Sequence, residues 1–479
     1  MKKRIVIILI AVISIATLGL ISYNYMIYRD QYRHDKTPTR DALPIYTNAL
    51  SKIDESEDML LSIHLTEEMT IDGTTFLEVT ERKVYYDMQA SSSPYIQIQE
   101  KRSSGTHDID ITEIYIDGTV YLTVNEIPFK GNCDIQEYES YLVPAIIISP
   151  DKYRNIEATN VDNGYIITFS EPLSAESWLI DPLTPIIDAR GVACVSNDGN
   201  LSSSLYTISY QQADVTFRVT AEVSIEQKSI SITPPGNDPD YTPIANWQAP
   251  KYLERACGYL LQVKQISALY NDSIYFEAIG DRREKRVTLH AYFDTEWSVS
   301  VETDIFTKSE TMLNQVETNN KYETYIDGQY QVSNNGEDPV LNETISVDNV
   351  YNYFRDQLVS TVMLPQHIEF AEIVENDNML RIIFTGTDTF GYFLAENACQ
   401  LLYNDPHLIT ESSVGFVTNK LNGYLDINMT TGLPLASGID FEGRYTVEGL
   451  PYSITYSADQ TYIIPDRNSI KSTEKAADN

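Results

Sequence analysis

Reactive chemistry is what this 479-residue chain has least of. Its four cysteines form no CxxC pair and show no Cys/His ligand spacing, which disfavours a structural zinc site. None of the six histidines belongs to an HExxH pattern or has a second histidine at helical spacing. There is no GxSxG elbow and no phosphate-cradling glycine loop. Asp108-x-Asp110-x-x-Glu113 lacks the glycine and the twelve-residue closure of an EF-hand, and reads as alternating acids on a solvent-facing strand. Trp178, Trp247 and Trp297 are dispersed and make no carbohydrate-stacking stripe. Any two of the 69 acidic residues could be named as a glycosidase pair, but without geometry the pairing is empty. The sequence therefore calls for no catalytic residue, no metal and no cofactor, and a hydrolase is the weakest reading.

Basic residues are scarce as well. Beyond residue 34 the chain holds 29 Lys and Arg against 68 Asp and Glu. Such a surface repels nucleic acid and anionic lipid, while permitting a cation or a basic partner. Its plainest meaning is a solvated, self-repelling exterior.

Long hydrophobic runs are absent except for one. Lys2-Lys3-Arg4 precedes an uncharged stretch from Ile5 to Tyr28. About 20 apolar residues span a bilayer as a helix, whereas the core of a cleavable signal is usually about 7–15 residues. Residues 5–28 thus read as an uncleaved anchor, with residues 1–4 cytoplasmic and the remainder extracytoplasmic. Residues 29–40 follow as a polar stalk, and 466–479 read as a disordered tail.

What is abundant is tyrosine, at 34 residues, together with β-branched residues in short alternating runs, which favours sheet. Glu113-Ile114-Tyr115-Ile116-Asp117-Gly118 returns as Glu323-Thr324-Tyr325-Ile326-Asp327-Gly328 with one difference in six positions. The motif is strand followed by a tight turn, where Asp-Gly accepts the positive φ a hairpin needs. Asp162 to Phe169 parallels Asp377 to Phe384 in the same order along the chain. Between these landmarks Ile135, Tyr138, Leu142 and Val143 parallel Tyr351, Phe354, Leu358 and Val359, a spacing that lines one side of a helix. Each half is expected to close on a strand running into proline, at Ile232-Thr233-Pro234 and Ile463-Ile464-Pro465.

The predicted fold is α+β and β-dominated. Two similar domains, 41–233 and 249–465, are each a curved antiparallel sheet covered by one or two helices, with a Pro-rich linker at 234–248. Predicted helices include one near Asp41, with Leu43, Tyr46, Leu50 and Ile53 on one side, and a second from Tyr252 to Val263. A third is expected near Ile135–Val143 and its counterpart at Val347–Met363. Among the cysteines, one cross-link per half (Cys133 with Cys194, Cys257 with Cys399) and isolated thiols both fit.

A tethered pair of units, each with a helix before a run of hairpins and a tyrosine-rich YxDG-type turn, resembles the lipoprotein-carrier (LolA-like) fold found in tandem in Gram-positive envelope proteins. The resemblance implies an apolar cavity between sheet and helix. It departs from that family in using a helix where a lipidated cysteine is common. On this reading Ile135, Tyr138, Leu142, Tyr351, Phe354 and Leu358 line a site for a lipid or another hydrophobic small molecule, or the protein steadies an envelope partner. The alternative is a purely structural or protein-interaction module in which those residues fill the core. In either case the chain is non-enzymatic, holds the membrane through its N-terminal helix, and binds no nucleic acid.

Overall fold

In the computed structural model the described residues are 38–463, apart from 40–41, 143–147, 174–184, 342–357, 404–415 and several shorter turns. The expected anchor (5–28) and tail lie outside them. Among the described residues no helix is long and apolar enough to cross a membrane.

Strands dominate. In the first half they are β1 (Pro38–Thr39), β2 (Asp58–Ile71), β3 (Thr74–Asp87), β4 (Tyr95–Ser104), β5 (His107–Ile116), β6 (Thr119–Val124) and β7 (Ile127–Asn132). They continue with β8 (Tyr153–Val161), β9 (Gly164–Pro172), β10 (Ile186–Ser196), β11 (Leu201–Gln212), β12 (Val215–Gln227) and β13 (Thr242–Pro243). The second half supplies β14 (Gln265–Phe276), β15 (Asp281–Thr295), β16 (Ser298–Glu310), β17 (Val316–Ile326), β18 (Gln329–Asn334) and β19 (Val340–Leu341). It ends with β20 (Ile368–Asn376), β21 (Met379–Gly386), β22 (Val417–Asn428), β23 (Pro434–Val447) and β24 (Leu450–Ile463). Four helices are described: α1 (Ala42–Asp54), α2 (Ile135–Leu142), α3 (Ala249–Gln262) and α4 (Asp388–Tyr403).

The two sheets follow one plan. The first runs β8-β9-β10-β11-β12-β2-β3-β4-β5-β6-β7, with β1 and β13 added at its ends. The second runs β20-β21-β22-β23-β24-β14-β15-β16-β17-β18-β19. Shifting every strand number by twelve turns one order into the other. The motifs read from sequence fall on matching strands, Glu113 and Glu323 on β5 and β17, Phe169 and Phe384 on β9 and β21.

Turn chemistry sets the hairpins. Asp117 and Gly118 adopt φ 47° and 85°, as a tight two-residue turn requires, and Ile116 pairs with Thr119 across it. Gly164 is more demanding. At φ 147° it opens β9, and an added Cβ would lie 2.0 Å from the Val195 carbonyl oxygen. Gly164→Ala is therefore expected to cost at least ~2 kcal/mol through backbone strain. A urea midpoint unchanged from wild type would refute this.

Several expectations are corrected. The proline-ended strand at 232–234 does not form: β12 stops at Gln227. Beyond it the Ile230 and Ile232 amides donate to the carboxylates of Asp58 and Asp87, both at 3.0 Å, instead of extending a ladder. Residues 242–247 hold to the first sheet, with β13 parallel to β7 and Trp247 buried. In α1 the buried stripe is Ala42, Tyr46 and Ala49, so Leu43, about 100° round the helix from Ala42, is half exposed. Helix α4 was not expected from sequence.

The core is continuous across the two halves. Leu61, Val84, Ile98 and Tyr138 of the first share an apolar cluster with Ile274, Phe384, Leu425 and Phe441 of the second. Between them lies α3, which touches β4 and β5 on one side and β20 and β23 on the other.

Candidate functional site

Helix α3 has two buried faces of opposite character. Leu253, Ala256, Cys257 and Leu260 form the apolar stripe of an ordinary amphipathic helix. Lys251, Glu254, Arg255, Gly258 and Gln262 recur at the same helical spacing on another face, which would normally meet water. Here that face lies against the first sheet. Lys251 and Glu254 are 4% and 5% exposed. At Gly258 an added Cβ would sit 3.1 Å from the Ser104 Cβ, so glycine lets the helix close on β4.

The sheet answers each polar group. Lys251 Nζ donates to Glu113 Oε1 at 2.8 Å, and the Tyr138 hydroxyl donates to Oε2 of the same carboxylate at 3.2 Å. Glu254 meets His107 Nε2 at 2.8 Å. Arg255 spans Glu67 (3.0 Å) and Glu78 (3.1 Å). Gln262 donates to Ser104 Oγ at 2.8 Å and accepts from the Leu77 amide at 2.9 Å. Deeper in the sheet Glu100 is clasped by Arg82 and Arg102. Burial pushes the Glu100 carboxyl upward, but Arg102, Arg82 and Lys251 more than offset it and hold it at about 2.

An aromatic group closes the end of this clasp. Tyr138 stacks on Tyr115 with centroids 4.9 Å apart and leans on Trp247 at 5.2 Å, while Lys251 Nζ lies 3.9 Å over the Trp247 ring.

The residues read as lining a hydrophobic-ligand site come from the two halves, and only some of them are described. Tyr138 is fully buried in the core shared by both sheets, and Ile135 packs half-buried against it. Leu142 ends α2, its side chain outside the described residues, as are Tyr351 and Phe354 altogether. Leu358 is fully buried in a separate cluster with Leu289 and Tyr325, and its carbonyl accepts the Tyr462 hydroxyl at 2.8 Å. The clasp itself was missed from sequence. The available signal was a second periodic stripe in α3, Lys251-x-x-Glu254-Arg255, beside the apolar one.

An open groove of about 660 Å³ crosses β12 and β2–β5 on the opposite, solvent-facing side. Ser62, His64, Lys83, Gln99, Lys101 and Thr112 line it. Most of its lining residues are polar or charged, unlike those of a pocket for an acyl chain. Among the described residues no group of three or more His, Cys, Asp or Glu is placed to hold a metal.

Cys133, Cys194 and Cys257 are free thiols, so the Cys133–Cys194 cross-link does not form. Burial, with Glu137 adding to it, pushes Cys133 up to about 11, and burial raises Cys257 further. Both are expected to resist iodoacetamide at pH 8 until the protein unfolds, since the thiolate is the reactive form. Prompt alkylation of either in the native state, read by mass spectrometry, would contradict the packing.

No protein-family model matches the chain, and no curated protein matches it. Solved structures that it resembles in part include LprF from Mycobacterium bovis, at 13% identity and TM-score 0.26, covering 42% of this chain and 99% of that one. A putative AttH from Nitrosomonas europaea has 6% identity and TM-score 0.15, covering 85% and 93%. OccK5 from Pseudomonas aeruginosa has 6% identity and TM-score 0.10, covering 85% and 98%. At these TM-scores none of the three indicates what this chain does.

Proposed function

We propose that the chain is a non-catalytic scaffold on the extracytoplasmic side of the membrane, tethered through residues 5–28. In it the carrier-like first sheet is filled by the protein's own helix, and the two halves act as one body. The observation that supports this is α3, seated by its charged stripe where a carrier of the resembled kind would hold a guest. A helix bound by Lys251–Glu113, Arg255–Glu78 and Glu254–His107 lays paired polar side chains against the sheet, where an acyl chain would need apolar ones. Its role would then be to present its surface to an envelope partner.

Native mass spectrometry of the gently extracted full chain tests this reading. The expected result is the mass of the polypeptide without stoichiometric lipid. One lipid per chain, retained across mild detergents, would overturn the scaffold reading and restore the carrier one.

A further inference from the structure

The Glu-x-Tyr-Ile-Asp-Gly motif occurs once in each sheet, and its glutamate is 0% exposed in both, at Glu113 and Glu323. The first carboxylate is satisfied on both oxygens, by the ammonium of Lys251 and the hydroxyl of Tyr138. The second is satisfied on one side only. The Tyr330 hydroxyl donates to Oε1 at 2.7 Å, and Lys321 reaches the same oxygen. Glu323 Oε2 is buried with no hydrogen-bond partner. Two further buried oxygens on that face of the sheet are also unpartnered. One is Oγ1 of Thr303, the cross-strand neighbour of Glu323, and the other is the phenol of Tyr325, two residues along β17. Leaving such a group unpaired costs about 1–3 kcal/mol each, so a native interior supplies a donor.

We propose that Glu323, Thr303 and Tyr325 form a binding site for a primary ammonium group. Such a group carries three N–H donors and one positive charge, and no acceptor. The site offers three acceptor oxygens, one of them on a carboxylate. Each glutamate has a lysine ammonium and a tyrosine hydroxyl, but on Glu113 they take one oxygen each, whereas on Glu323 Lys321 and Tyr330 share Oε1 and leave Oε2 as the open acceptor. Lys321 keeps its side chain 37% exposed while touching Glu323, so the site opens to solvent on that side. The acidic exterior favours the arrival of cations.

The probe is methylammonium chloride added to the full chain, with tetramethylammonium chloride, which has no N–H donor, at equal ionic strength. Methylammonium should give a saturable rise in melting temperature, and tetramethylammonium should give none. Glu323→Gln should abolish the rise. Thr303→Val keeps shape and removes one acceptor. It should fold and be at least as stable as wild type in amine-free buffer, since it removes a buried hydroxyl with no protein partner, and bind methylammonium several-fold more weakly. Equal rises with both salts, no rise with either, or a full response in Thr303→Val would overturn the proposal. So would a loss of stability in Thr303→Val without amine, which would mean that a resident water already fills the site. Because the probe carries no acyl chain, these outcomes are separate from the lipid test of the scaffold reading.

Discussion

Replacing Lys251 with methionine is expected to cost about 3–5 kcal/mol, the penalty for stranding a buried carboxylate. Glu113 has its other oxygen on Tyr138 and no solvent to turn to, so its charge would remain in the interior without a counter-ion. Methionine keeps most of the lysine stem's volume, which makes the loss electrostatic and leaves packing nearly intact. Adding Glu113→Gln should return most of the lost stability, because a neutral amide still accepts from Tyr138 and no buried charge is left. Urea unfolding of the two single variants and the double variant measures the coupling. If the double variant is as unstable as Lys251→Met alone, the clasp does not hold the sheets as described. Hydrogen exchange in α3 should rise in Lys251→Met, since its polar face would be released from β4 and β5.

Acid should loosen the same region. Glu100 titrates at about 2 in the folded chain, against 4.5 ordinarily. A carboxyl whose folded value is depressed adds stability that is fully present above about pH 4.5 and is lost as pH falls from there toward 2. A separation of that size corresponds to about 3 kcal/mol. The rest of the molecule pulls the other way, because protonating a surface with this excess of acids relieves repulsion. The informative quantity is therefore the difference between wild type and Glu100→Gln. At neutral pH the variant should be less stable, with Arg82 and Arg102 left facing an amide, and the gap should close between pH 4.5 and 2. A gap that stays constant over that window would mean that Glu100 is not held by the two arginines.

Much of the architecture was legible because it rests on local chemistry. Asp117-Gly118 announced a hairpin since few residue pairs accept two positive φ values in succession, and the angles are as needed. The alternation through Ile96, Ile98, Ile109 and Ile111 marked strands with one buried face. The parallel motifs at 113–118 and 323–328, and at 162–169 and 377–384, land on matching strands of two sheets with one strand order. Other features had no local signature. Helix α4 carries Phe390, Gly391, Tyr392 and Phe393 within its first two turns, poor helix formers taken singly. Its Gly391 is explained only by the Thr418 side chain, 2.2 Å from where a Cβ would stand. The prolines after β12 resembled those after β24, but the carboxylates of Asp58 and Asp87 had already drawn the chain out of the ladder.

From the sequence alone came a β-dominated chain with two copies of one turn motif, an acidic exterior and little reactive chemistry. Periodicity and φ preferences act over a few residues, and these properties depend on nothing further. Tertiary structure decided what the charges are for. Lys251 and Glu113 are 138 residues apart. The stripe Lys251, Glu254, Arg255 has the pattern of a solvated helix face, and only the closing of the first sheet over it removes the water. Whether a charge is surface or core depends on what packs against it, and a helix cannot encode which distant strand that will be.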